Sequence, residues 1–139
     1  GGDDMQKISK LKNKKTKILG VTILTSLDKK QTLKYYKEDN VTKLVRKFAK
    51  YAKKNNLDGL VCSPLEIETV RKEIGNSMIL VVPGIRPENT LTENKDDQKR
   101  TLTPKKAIEL GADYLVIGRP IIESKNPLQA LKNINQSIK

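Results

Sequence analysis

The sequence predicts an α/β domain built on a parallel sheet, and three observations point there. Apolar residues gather in four short runs (residues 18–24, 60–62, 79–82 and 114–117) that are mostly β-branched and apolar on both faces, as buried parallel strands are. Helical signals lie between and after the runs. The strict alternation of the two implies right-handed crossovers and a single sheet. With 139 residues, the prior is one domain spanning residues 1–139.

The elements follow in order. A leading helix is predicted around residues 4–13, ahead of the first strand. After it, Val41, Leu44, Val45, Phe48, Ala49 and Ala52 recur at spacings of three and four, with Lys and Arg on the opposite face. Three further helices announce their starts by a capping residue followed by Pro at the first helical position: Ser63-Pro64, Thr103-Pro104 and Asn126-Pro127. Two carry the partner of a capping box three residues on, Glu66 after Ser63 and Gln129 after Asn126. No internal repeat is apparent. The sheet could be an open doubly wound one or part of a TIM barrel, between which composition does not choose; a complete barrel takes about 250 residues, so this chain would hold half of one.

Composition bounds the chemistry. Hydrophobic residues make up 36% and charged ones 32%, a thin core under a highly charged exterior. There is no histidine and one cysteine, which excludes Ser-His-Asp and Cys-His nucleophile systems, imidazole bases, thiolate-rich metal sites and an internal disulfide. Cys62 reads as a small buried side chain. No apolar stretch approaches the ~18 residues that cross a bilayer, and no signal-peptide pattern opens the chain, so the expectation is a cytoplasmic protein without membrane contact. The chain begins Gly1-Gly2 and its first methionine is Met5, from which we expect that translation began upstream. The net charge of +12 is concentrated in residues 1–56, which could attract nucleic acid or anionic metabolites. One Phe, four Tyr and no Trp leave no stacking platform for single strands, and nucleic acid is disfavoured as a partner.

The long polar segment after the third strand, residues 83–104, follows the strand's C-terminal end, where α/β active sites are built. Arg86 there offers a planar fork to phosphate and Gln98 an amide donor. The ending Val116-Ile117-Gly118-Arg119-Pro120 precedes a terminal helix; Gly118 allows close backbone approach, and Arg119 stands at the mouth of the last strand.

Five ordered motifs complete the pattern: Val21-Thr22-Ile23-Leu24-Thr25-Ser26, Asp58-Gly59-Leu60-Val61-Cys62-Ser63, Pro83-Gly84-Ile85-Arg86-Pro87, Asp97-Gln98-Lys99-Arg100, and Gly111-Ala112-Asp113-Tyr114-Leu115-Val116-Ile117-Gly118-Arg119-Pro120-Ile121. Together they closely resemble the C-terminal half of the orotidine 5′-phosphate decarboxylase family. The resemblance implies strands 5–8 of a TIM (β/α)8 barrel, with their helices. It also implies an enzyme, homodimeric when intact, that converts orotidine 5′-monophosphate to UMP and CO₂ in pyrimidine biosynthesis without cofactor or metal. By the same resemblance, Thr25 lies in the nucleotide site, Arg86 and Gln98 grip the phosphate, Gly118 and Arg119 complete that grip, and residues 88–99 form a closing lid.

One element of the family is missing. Its Asp-x-Lys-x-x-Asp proton donor is approached only by Asp97-Gln98-Lys99, but Leu102 stands three residues beyond Lys99. No catalytic residue is therefore expected in this chain, and the resemblance assigns the donor to an absent N-terminal half. Four strands with open edges should pair with that half or self-associate. Two other readings stay open: a non-catalytic phosphate-binding module, and a nucleic-acid-binding surface on residues 1–56.

Overall fold

The computed structural model describes residues 2–11, 13, 15–23, 29–87 and 101–139. Four parallel strands, β1 (Leu19–Val21), β2 (Gly59–Val61), β3 (Ile79–Pro83) and β4 (Tyr114–Val116), form one sheet in the order β1-β2-β3-β4. Helix α1 (Gly2–Leu11) precedes the sheet. Then come α2 (Lys29–Tyr36) and α3 (Val41–Lys54) after β1, α4 (Ile67–Ile74) after β2, α5 (Pro104–Glu109) after β3, and α6 (Arg119–Ile122) and α7 (Pro127–Ser137) after β4. The βα alternation read from the sequence is the one observed.

Capping explains where several helices begin. Asn40 accepts the Lys43 N–H at 3.0 Å, and Thr103 accepts that of Lys106 at 3.3 Å. At Ser63 a 3-10 turn (Pro64–Glu66) leads into α4, and the Ser63 N–H donates to Glu66 Oε2 at 3.3 Å. The box expected at Asn126 is only half formed. Asn126 Oδ1 accepts the Gln129 N–H at 3.1 Å, but the Gln129 amide turns away and donates to Asn133, one helical turn on.

The core lies between the sheet and its helices. Leu60, Leu80 and Val82 point into it from the strands, and meet Val45 and Ala49 of α3 and Ile67, Val70 and Ile74 of α4, all fully buried. Cys62 is buried, as expected.

The opposite face of the sheet is uncovered, which departs from the expectation of strands buried on both sides. On the edge strands Leu19 is 38%, Val21 48%, Tyr114 60% and Val116 53% exposed. Their alternation with Gly20 and Leu115 puts every exposed residue on the same face. The strands are apolar on both faces, as the sequence says, but among the described residues helices cover only one.

The structure also holds a repeat that the sequence hides. Where α3 ends, the N–H groups of Asn55, Asn56 and Leu57 donate to the carbonyls of Tyr51, Lys53 and Ala52; where α5 ends, Leu110, Gly111 and Ala112 donate to Lys106, Ile108 and Ala107 in the same pattern. Both turns pass through positive φ, at Asn56 (53°) and Gly111 (110°). An aspartate follows each. The Asp58 N–H donates to Ile18 O at 3.0 Å, and Asp58 Oδ2 accepts the Ile18 N–H at 2.7 Å. The Asp113 N–H donates to Leu80 O at 2.9 Å, and Asp113 Oδ2 accepts the Leu80 N–H at 2.7 Å. The registers match as well, Leu19↔Gly59 and Val21↔Val61 in one pair, Val81↔Tyr114 and Pro83↔Val116 in the other. The β3–β4 unit thus repeats the β1–β2 unit.

At the strand starts, Arg71 of α4 ties the second unit together. Its Nε donates to Gly111 O at 2.7 Å, its Nη1 to Gly75 O and Met78 O at 2.9 and 2.8 Å, and its Nη2 to Asp113 Oδ2 at 2.6 Å. The charge-assisted bond to Asp113 adds attraction to geometry.

Candidate functional site

The C-terminal strand ends carry the candidate residues. Pro83 and Val116 are register partners on the adjacent strands β3 and β4. Arg86 lies three residues past Pro83, and Arg119 three past Val116, so both leave the same end of the sheet from neighbouring strands.

Local chemistry sets Arg86. Gly84 turns the chain with φ +79°, a conformation that favours glycine, beside the ring of Pro64. The turn drops Ile85 into the core, where it is fully buried, and leaves the Arg86 side chain half-buried at the rim. The Arg86 N–H donates to Leu102 O at 3.0 Å, joining both ends of the long connection, and its Nη1 donates to Ile85 O at 3.1 Å. One guanidinium nitrogen is thus steadied by a neighbouring carbonyl, while among the described residues the rest of the fork meets no acceptor.

Gly118 caps α6, and the N–H groups of Ile121 and Ile122 return to its carbonyl at 2.9 and 3.1 Å. A side chain at Gly118 would meet open space among the described residues. The Arg119 side chain is exposed and has no hydrogen-bond or ion-pair partner among the described residues. Thr101, next to Leu102, was not singled out from the sequence; its Oγ1 is buried without a partner among the described residues, a property only packing reveals. Thr25, Gln98 and the expected lid at residues 88–99 lie outside the described residues.

Among the described residues no group of three His, Cys, Asp or Glu side chains could hold a metal, and no helix is long and apolar enough to cross a membrane. Cys62 follows β2 on the covered face, and burial pushes its thiol up to about 12, with Glu66 adding to the rise. It is protonated and poorly nucleophilic at neutral pH.

The family profile described as orotidine 5′-phosphate decarboxylase / HUMPS matches residues 1–134. The chain belongs to this family. An orotidine 5′-phosphate decarboxylase from Glaesserella parasuis serovar 5 (strain SH0165) is 46% identical over 121 residues, which are 87% of this chain and 51% of the relative. One from Coxiella burnetii (strain RSA 331 / Henzerling II) is 48% identical over 122 residues, 88% of this chain and 50% of the relative. Among solved structures, the orotidine 5′-phosphate decarboxylase from Lactobacillus acidophilus superimposes with a TM-score of 0.70 at 34% identity, over 88% of this chain and 49% of that one. The chain therefore spans about half the length of the orotidine 5′-phosphate decarboxylases it matches, and its parallel α/β sheet is that of their TIM-barrel family.

Proposed function

We propose that this chain is the C-terminal half of an orotidine 5′-phosphate decarboxylase barrel and supplies the phosphate-binding end of its active site. The observation that carries the reading is the placement of Arg86 and Arg119 three residues past the register-paired ends of β3 and β4, with Gly118 just before Arg119. Two guanidinium forks and an accessible glycine backbone at one strand-end rim suit a phosphate monoester. Gln98 would add an amide to the same grip and Thr25 would face the nucleotide. The proton donor, an Asp-x-Lys-x-x-Asp element, belongs to the N-terminal half, so this chain alone is inactive.

The division of labour has a physical logic. The phosphate takes no part in bond breaking, yet its binding energy can hold the pyrimidine ring where the donor works, so contacts remote from the reacting carbon raise the rate. When the carboxylate leaves as CO₂, the electron pair stays on the ring carbon and a proton from the other half's lysine fills it.

The test is complementation. The chain is mixed with the N-terminal half of the Coxiella burnetii relative, and loss of orotidine 5′-monophosphate absorbance is followed. Turnover by the mixture and by neither part alone is expected. In the active mixture Arg119→Ala should lower kcat/KM by at least about 2 kcal/mol, since a charge-assisted bond to phosphate is lost. A folded complex without turnover would instead indicate a non-catalytic phosphate-binding module.

A further inference from the structure

The β1–β2 and β3–β4 units are related by one operation that carries Ile18 onto Leu80 and Asp58 onto Asp113, and within the chain it is used once. The same operation applied again carries the β2–β3 junction, where Gly59 faces Ile79 and Val61 faces Val81, onto the outer edge of β4. The strand required there is a β1, with Lys17 opposite Tyr114 and Leu19 opposite Val116. This chain has one β1, and it lies on the far side of the sheet. A β1 for β4 can come from a second copy, and a two-fold axis then returns the first copy's β1 to the second copy's β4. Four parallel strands from each copy make eight, a number whose interior is just filled by side chains.

The surfaces to be joined match this closure. Both edge strands expose apolar residues on the uncovered face, Leu19 and Val21 on β1, Tyr114 and Val116 on β4. The helices flanking the edges also carry exposed apolar residues, Ile8 and Leu11 on α1, Leu128 and Leu131 on α7. In a closed pair, α7 of one copy faces α1 of the other twice over, the self-complementary arrangement of a two-fold interface. The charge of +12 per copy opposes association, but at about 0.15 M salt it is screened beyond about 8 Å.

We propose that, without an N-terminal half, the occupant of the uncovered face is a second copy of this chain, joined through two identical β4–β1 seams into a closed eight-stranded cylinder. This rests on reading the chain as half a barrel. It adds that the half is self-complementary.

The test uses the 139-residue chain with Leu19→Cys and Val116→Cys together. Sedimentation should give the unmodified chain twice its 15.7 kDa mass at about 0.15 M salt. Oxidation of the double variant should give a disulfide-linked dimer on non-reducing gels, with both engineered thiols consumed. Buried Cys62 stays out of the exchange, and the single variants serve as controls. Within one copy the two positions sit on opposite edges of the sheet, so a monomeric disulfide is not expected. A folded monomer, or a dimer that does not crosslink through this pair, would overturn the seam. Complementation by the Coxiella half separates the two ideas: a monomer that complements removes the self-closure alone, and a crosslinked dimer that never complements removes the enzymatic reading alone.

Discussion

The two faces of the sheet share a composition and differ in fate. On β3, Leu80 is sealed under α3 and α4, while the adjacent Val81 points to the uncovered side and is only partly shielded. Both are aliphatic and both sit in a central strand, so propensity cannot separate them. The covering layer does. The comparison teaches that a parallel strand with two apolar faces encodes a demand for two layers, of which the described residues supply one.

The largest expected effect breaks that comparison most directly. Leu80→Ala should destabilise the chain by about 3 kcal/mol, because it removes buried methyls and leaves a cavity, whereas Val81→Ala should cost under about 1 kcal/mol in unassociated chains. Urea denaturation at low protein concentration reads both, and equal losses would erase the distinction between the faces. The next effect sharpens it. Gly59 lies in the uncovered row between Leu19 and Ile79, and an added Cβ would collide with the Ile79 carbonyl oxygen and come within 2.7 Å of its Cβ. Gly59→Ala should therefore cost about 2 kcal/mol although no described helix lies over it; a neutral result in the same titration would mean that the β2–β3 spacing yields easily.

A smaller effect comes from the covered side. The Cys62 thiol is pushed from an ordinary 9.0 to about 12, so above pH 9 the unfolded chain loses a proton that the folded chain keeps. The unfolded state then binds fewer protons, and stability falls as pH rises through this window, by roughly 1 kcal/mol at pH 10 relative to pH 7. Cys62→Ala should remove this slope from a pH series of denaturation midpoints. A slope unchanged by the substitution would mean that the thiol is not the group responsible.

Much of the fold was legible because the signals were local. The Pro64, Pro104 and Pro127 starts and the amphipathic stripe of α3 depend on neighbours within one or two turns. Helix α2 was missed for a physical reason. Its fully buried residue is Thr32, while Leu33, Tyr35 and Tyr36 are exposed, so no apolar stripe marks its inner side. The Asp58 and Asp113 repeat escaped because its content is backbone geometry, carried by different residues at Asn56 and Gly111. At the site, Arg86 and Arg119 were legible as residue types. Their common rim was expected only through the family resemblance, since locally it depends on the pairing of Pro83 with Val116, residues far apart in the chain.

The Arg71 clamp bears on how such a molecule can be altered. A single guanidinium fastens α4 to the approaches of β3 and β4, so the rim beyond Pro83 and Val116 is relieved of that duty. Loops on that rim could be exchanged for others with different ligand preferences while the scaffold beneath keeps its shape. In a workshop sense, the tool head detaches from the handle, and Arg71 is one of the rivets in the handle.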